Sequence, residues 1–550
     1  MDSFIIAALA LCSLTAPACG DKGSSKARSC SNFRTFYKGK HFPLDGVPQS
    51  EISGEHLRIC SQGYTCCTSV IEDNLASLSS RELEAVCKNT SRSLQVSLAG
   101  QRKAFDGYAL ELLNYSMSSL HETFISTWGS VYFESSQVFS DLYQDLTDYY
   151  KGSATNVNLE EVLNEFWTKL MEKLFYMANK QNSIGEDYLD CVSKQIETLR
   201  PFGDTPHKMT TQVTHTFVAA RSFLQGLLIS EDVVRKVSQV HLSKDCMRSI
   251  MKMTYCPHCH GMVFAQPCAN YCSNVIKGCL ANQADLNPEW TRLADSMIEL
   301  AKSCLEDMDS VILSLPNRIS EAMFTMMENI GSINNKVFLA CGNLKKEGAS
   351  RSGVVEILKN GRVTVEDRLG DSPNKMTKLL SNVTTRLKDM RSHWISLPRI
   401  FCSDREAQGA GAEDKCWNGI SRARYLPEVI GDGLASQINN PEVDIDITKP
   451  DMLIRRQIMQ LKIMTHHLKN ALNGFDVDFQ DTSDDVSGSG SGACVDEMCS
   501  RGPRLVIPIS DRPTLYDYPP ENEKVKGSSQ QNLPCVIIHL LSLLILLLQR

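Results

Sequence analysis

A chain of 550 residues, at roughly 100 to 200 residues per domain, has room for three or four domains or for one long helical body with a large core. Its composition, 42% hydrophobic, 22% charged and 7% aromatic, is that of a globular protein and excludes a wholly disordered or fibrous chain. With 57 basic against 64 acidic residues the net charge is -7, which argues against a chain-wide nucleic-acid binder, and 21 cysteines point to an oxidising compartment.

Residues 1–20 carry the marks of a secretory signal. An apolar run from Phe4 to Leu14 precedes two small-residue cleavage sites, Ala16-Pro17-Ala18 and Ala18-Cys19-Gly20. The first residues hold Asp2 and no Lys or Arg, so a buried first helix is the competing expectation. From about 70 to 475 the dominant pattern is helical. Leu159, Val162, Leu163, Phe166, Trp167, Leu170 and Leu174 recur at i, i+3, i+4 and i+7 and lay one apolar stripe along a helix. Similar patterns run over 214–240, 289–314, 316–340, 374–396 and 451–472, and such stripes serve as core far more often than as ligand boxes. No convincing run of hairpins and no repeat of 20 to 50 residues occurs. The stretch 343–373 loses its apolar period, holds Lys345-Lys346 with several Gly and Ser, and is expected to be a mobile, protease-accessible loop. Sequons at Asn89, Asn114 and Asn382 fit secretory passage.

After about residue 475 the character changes. No basic residue lies between Lys469 and Arg501, while Asp476, Asp478, Asp481, Asp484, Asp485, Asp496 and Glu497 surround the three Ser-Gly pairs at Ser487, Ser489 and Ser491. Such a segment cannot pack a core, so 476–527 is expected to be an extended, disordered stalk. A serine followed by Gly can thread into a glycosyltransferase, and nearby carboxylates can dock on a basic enzyme surface. Glycosaminoglycan attachment at Ser487, Ser489 and Ser491 is therefore expected over a plain linker. The chain ends on an apolar run from Val536 to Leu548, interrupted by His539 and Ser542, and then Gln549-Arg550. That run is short of the ~20 residues a membrane-spanning helix needs but suits a cleaved anchor signal. The small triplet Gly527-Ser528-Ser529 upstream supplies the attachment point, at Gly527 or Ser528, for a glycosylphosphatidylinositol anchor, with 528–550 removed.

Taking Cys12, Cys19 and Cys535 away with the processed ends leaves 18 of the 21 cysteines, an even number as a closed disulfide set requires. Cys256-x-x-Cys259 with Cys268 and Cys272 has a spacing that an intracellular protein could use for zinc. Behind a secretory signal those thiols are expected to be oxidised instead. Neighbouring cysteines rarely pair with each other, so Cys66-Cys67 ties two other segments to one point. No P-loop, dinucleotide turn, His-Glu-x-x-His or Gly-x-Ser-x-Gly occurs, and His466-His467 has no obvious carboxylate partner. No enzyme, metal or cofactor is expected.

The run Cys256-Pro-His-Cys259-His-Gly261-Met262, then Pro267-Cys268-Ala-Asn-Tyr271-Cys272-Ser-Asn-Val275-Ile-Lys-Gly278-Cys279, resembles the signature of the glypicans. The resemblance extends through Ile52 to Cys60, Tyr64 to Cys67, Cys416-Trp417-Asn-Gly419, Arg424 to Gly433 and Gln437 to Pro441. It implies an all-α, elongated core over 21–475, stapled by disulfides, with an N-terminal Cys-rich lobe, a central helical body and a membrane-proximal lobe. The pairing it implies is Cys30 with Cys66, Cys60 with Cys256, Cys67 with Cys259, Cys191 with Cys341, Cys246 with Cys279, Cys268 with Cys416 and Cys272 with Cys402. Cys87 and Cys304 depart from the pattern, free, paired or joining two chains, and Cys494 and Cys499 fall in the stalk.

The expected function is that of a cell-surface heparan sulfate proteoglycan anchored to the outer leaflet or shed from it. By the resemblance, its partners are heparin-binding growth factors and morphogens of the fibroblast growth factor, Wnt, Hedgehog and bone morphogenetic protein kinds, with their receptors. The competing expectation makes the helical core itself the binding module and the glycosaminoglycan chains incidental.

Overall fold

The computed structural model of the chain describes residues 28–61, 63–152, 158–344, 375–408 and 411–476. The expected signal, Ser487, Ser489, Ser491, Cys494, Cys499, Gly527, Ser528 and nearly all of the 343–373 loop lie outside the described residues.

Among the described residues the fold is helical. Helix α1 (Ser31–Gly39) precedes a small antiparallel pair, β1 (Ile52–Ser53) and β2 (Tyr64–Thr65), in which Ile52 faces Thr65 and Ser53 faces Tyr64. Strands of two residues are too short to leave an alternating pattern in sequence. Helix α2 (Ser69–Trp128) then runs 60 residues without a proline, about 90 Å at 1.5 Å per residue. Gly129, at φ 49, ends it.

The other longer helices are α3 (Ser130–Lys151), α4 (Leu159–Ala178), α5 (Glu186–Ser193), α6 (Thr205–Val237), α7 (Lys244–Thr254), α8 (Ala269–Cys279) and α9 (Asn287–Cys304). After them come α10 (Leu315–Glu328), α11 (Ile330–Cys341), α12 (Lys375–Asp389), α13 (His393–Cys402) and α14 (Met452–Leu472). The stripe expected on α4 is core: Leu159, Leu163, Phe166, Trp167, Leu170 and Leu174 are buried and Val162 is half-buried. Asn158 caps that helix by accepting from the Glu160 N–H, and Asp451 caps α14 by accepting from the Ile454 N–H.

Three stripes expected as single helices are broken in the structure. The pattern 289–314 stops at Cys304 and resumes at Met308, a turn that lets Met308 and Ile312 bury as well. The pattern 316–340 divides at Asn329, and 374–396 turns at Met390–Ser392 before α13. The dominant helical pattern expected from about 70 to 475 is interrupted over 403–451, which is mostly irregular. That stretch is rich in Gly and Pro, and Gly411, Gly419 and Gly433 take positive φ values no helix allows.

Helices α2, α6, α9 and α14 pack against one another as the central bundle. Gly226 on α6 lets α9 come close, because a Cβ there would meet the Met297 sulfur at 3.2 Å. Trp290 of α9, fully buried, donates its indole N–H to the Met390 carbonyl at 2.8 Å and meets Trp394 edge-on at 5.7 Å, tying α12 and α13 to the bundle. At the other end of α2, Trp128 donates to Ser320 Oγ and packs on Phe324 of α10.

The irregular stretch is fixed to α8 through Asn274. Its amide donates to Tyr425 Oη and the Glu428 carbonyl and its oxygen accepts from the Ile430 N–H. Beside it, a Cβ on Gly278 would meet Val443 Cβ at 2.8 Å and Asn440 Nδ2 at 2.9 Å. Gly278→Ala is therefore expected to lower stability by about 1–3 kcal/mol, measured as a lower denaturation midpoint with the helical spectrum retained.

Candidate functional site

The Cys-rich lobe is built outward from the first turn of α2. Glu72 has no solvent exposure, and its carboxylate accepts the backbone N–H groups of Arg58 at 2.9 Å, Ile59 at 2.9 Å and Cys60 at 2.8 Å. A buried carboxylate is tolerated when charge-assisted bonds of this kind replace water. The bonds hold the 58–60 loop against α2 and so aim Cys60 at Cys256.

Cys256-Pro-His-Cys259 forms one helical turn, placing both sulfurs toward the start of α2. Cys60 bonds Cys256 and Cys67 bonds Cys259, while Cys30 bonds Cys66, with the Cys66 N–H donating to the Cys259 carbonyl at 2.7 Å. The vicinal cysteines thus hold two different segments, α1 and the 256–259 turn. The remaining bridges are Cys191–Cys341, Cys246–Cys279, Cys268–Cys416 and Cys272–Cys402. These seven bridges coincide with the pairs the resemblance implies, and every sulfur of the Cys256, Cys259, Cys268 and Cys272 run is in one. Cys60–Cys256 and Cys67–Cys259 span 196 and 192 residues, and closing a loop of ~100 residues or more restricts the unfolded chain by about 4–5 kcal/mol.

Cys87 and Cys304 carry free thiols. Cys87 lines a small void beside Val237, and Cys304 Sγ lies 3.9 Å from His215 Nε2. His215 and Val237 sit on α6, 22 positions and so about 33 Å apart, so the two thiols cannot bridge within one chain. Burial, with the Glu84 carboxylate behind it, pushes the Cys87 thiol up to about 12.

Asn89 and Asn114 are exposed on α2 and Asn382 is exposed on α12. The two on α2 stand 25 residues apart, about 37 Å and within 20° of one face. The hydroxyls of the three sequons are buried: Ser116 Oγ bonds Tyr143 Oη at 2.7 Å and the Ile312 carbonyl at 2.8 Å, and Thr384 donates to the Ser381 carbonyl. A transferase needs that hydroxyl free, so one acting at these positions would have to do so before the chain folds.

Local sequence gave no signal for two anchoring residues, Glu72 and Tyr149. Tyr149, buried on α3, donates to Asp476 Oδ1 at 2.7 Å, and the Arg221 guanidinium lies 4.9 Å from its ring centre. Asp476, expected at the head of the stalk, is therefore bonded to the helical body. Among the described residues no helix is long and apolar enough to cross a membrane.

Two measurements check these environments. Because Cys87 is pushed up to about 12, its alkylation in the native protein at pH 8 is expected to run roughly 30- to 60-fold slower than that of a thiol with pKa near 9, the smaller thiolate fraction being partly offset by the greater nucleophilicity of a more basic thiolate. Its rate should become ordinary on unfolding. Burial also lowers His393 to about 4, and burial followed by the Lys40 ammonium lowers His258 to about 4. Unfolded imidazoles titrate near 6.5, so the unfolded chain takes up these protons first. Stability from these two sites is intact above about pH 6.5 and falls as pH drops from there to about 4. His393→Phe should flatten that loss in denaturant titrations.

Comparison with known proteins places these features in one family. The glypican family model matches residues 10–549. Glypican-1 of Gallus gallus is 49% identical over 537 residues, 97% of this chain and 96% of that protein. The crystal structure of full-length glypican-1 core protein aligns with a TM-score of 0.76 and 48% identity over 82% of this chain and all of that one. A Dally-like protein solved in complex with O-palmitoleoyl serine aligns with a TM-score of 0.65 and 30% identity over 82% of this chain and all of that one. By sequence along nearly its whole length, and by the fold of its disulfide-stapled helical core, the chain belongs to the glypican family of heparan sulfate proteoglycan core proteins.

Proposed function

We propose that the mature chain is a lipid-anchored proteoglycan of the outer leaflet, carrying heparan sulfate on Ser487, Ser489 and Ser491 and presenting heparin-binding growth factors and morphogens to their receptors. The observation that carries this is the triple Ser-Gly run in an acidic setting within a glypican chain. Sulfated chains on those serines make a dense polyanion of a segment that is already acidic. Basic ligands are attracted over long range in a salt-sensitive way, because bound counterions are released when they dock. Many weak contacts on one chain raise the local concentration of ligand near a receptor. Fibroblast growth factor, Wnt, Hedgehog and bone morphogenetic protein ligands fit that chemistry. The apolar tail from Val536 to Leu548 and the small triplet at 527–529 support the anchor, with Gly527 or Ser528 as attachment point. The exposure of Asn89, Asn114 and Asn382 suits N-glycans that leave the core undisturbed.

A second mode is favoured by one comparison. The Dally-like protein is solved with O-palmitoleoyl serine, so the helical core of this chain is proposed to meet acylated ligands directly, independent of the glycosaminoglycan chains.

Release from cells by phosphatidylinositol-specific phospholipase, followed by gel mobility before and after heparan lyase, tests the main proposal. A high-mass smear that collapses to a sharp band near core mass is the expected result. A sharp band indifferent to the lyase would remove heparan sulfate, and failure of release would remove the anchor. The triple variant Ser487→Ala, Ser489→Ala, Ser491→Ala separates the two modes: growth-factor capture should vanish while binding of an O-palmitoleoylated peptide persists.

A further inference from the structure

Between the Cys-rich lobe and α7 lies a cavity of about 300 Å³ whose lining includes Arg58, Arg248, Lys252, His260, Trp417 and Glu442. Three basic residues and one histidine thus line a space whose lining includes one carboxylate. That carboxylate accepts the Tyr425 hydroxyl at 2.9 Å and offsets part of the Lys252 charge, which leaves the lining net positive through Arg58 and Arg248.

The other acidic groups near the cations stand outside the cavity. Arg58 pairs with Asp73 at 2.5 Å and Arg248 with Asp245 at 3.3 Å, all four side chains 47% to 72% exposed. Exposed pairs of this kind contribute little and exchange readily for a better anion. Guanidinium groups offer planar forks that match the oxygens of a sulfo group or carboxylate.

The walls are built before any ligand arrives. The backbone at Arg58 is pinned by Glu72, and the Cys60–Cys256 bridge closes one side. On the other, the Trp417 indole, 1% exposed, donates to the Lys252 carbonyl at 3.0 Å, and the Trp417 N–H donates to the Gln266 carbonyl. Gly419 completes the rim at φ 94, where a Cβ would meet Tyr271 Oη at 2.9 Å. A site held this way spends little of its binding energy on ordering itself. Its volume is at the lower end for small-ligand pockets, enough for one sugar ring.

We propose that this cavity is a binding site for a sulfated sugar residue, making the core itself a reader of sulfated saccharide, separate from the serines that would carry such chains. The proposal does not depend on those serines, so it is tested on the full chain bearing Ser487→Ala, Ser489→Ala and Ser491→Ala, which has no chain of its own there. Calorimetric titration with a heparin tetrasaccharide at low salt should give saturable binding. Arg248→Gln with Lys252→Gln should weaken it about tenfold, equal to about 1.4 kcal/mol, and make the salt dependence shallower. Lys462→Gln with Lys469→Gln, on the exposed face of α14, should leave it unchanged. Thermal melting of each variant shows whether the fold is kept, and Arg58→Gln supplies an independent cavity variant if the double change unfolds the lobe.

Equal binding by the cavity variants, or equal loss in the α14 variant, would overturn the assignment in favour of general surface attraction. Equal affinity for the desulfated tetrasaccharide would rule out recognition of the sulfo group. Inorganic sulfate binding as tightly as the saccharide would make this a free-anion site and overturn the sugar assignment.

Discussion

One buried carboxylate sets the geometry on which the Cys-rich lobe depends. Glu72 sits in the first turn of α2 with no exposure, and three backbone N–H groups from 58–60 converge on it. Left unpaired, a charge in that position would cost several kcal/mol, so the loop has to stay where the bonds can form. With the loop held there, Cys60 meets Cys256, while Cys66 and Cys67 reach apart to Cys30 and Cys259. The same placement puts Arg58 on the rim of the basic cavity.

Helix α2 carries that order to the far end of the helical body. Its middle is thinly covered: between Glu84 and Ala104 only Ser91 and Leu98 are buried. Cys87, Asn89 and the outer face of the helix lie along this stretch, which explains how a long element can be both structural beam and platform for exposed sequons. Coverage returns at Phe105, Tyr108, Leu112 and Leu113, where α6 and then α10 pack on it, and Trp128 locks the end. The exit of the chain is treated in the same manner, since Tyr149 of α3, with the Arg221 guanidinium of α6 over its ring, bonds Asp476.

Much of this was legible locally. An apolar stripe on 159–174 has one physical solution, a helix with that face inward, and α4 adopts it. Stripes on 289–314, 316–340 and 374–396 were legible as helix but not in their breaks, because an apolar period continues across a turn when both halves face the same core. The irregular 403–451 stretch was hidden by its flanks, although its glycines and prolines were in plain view. Helix α2 had no clear stripe, since its buried positions are sparse and its contacts change from α7 to α6 to α10 along its length.

Sequence by itself determined the compartment chemistry, the helical class, the family signature around Cys256–Cys279, and the Ser-Gly and apolar-tail motifs, because each is written in residues adjacent along the chain. Tertiary structure alone decided that Cys87 and Cys304 stay apart, that Asp476 belongs with the body, and that Arg58, Arg248, Lys252 and Trp417 share one cavity. Those outcomes join residues up to hundreds of positions apart. They follow from where the packed helices and long-range bridges bring the backbone, and no local pattern encodes such a distance.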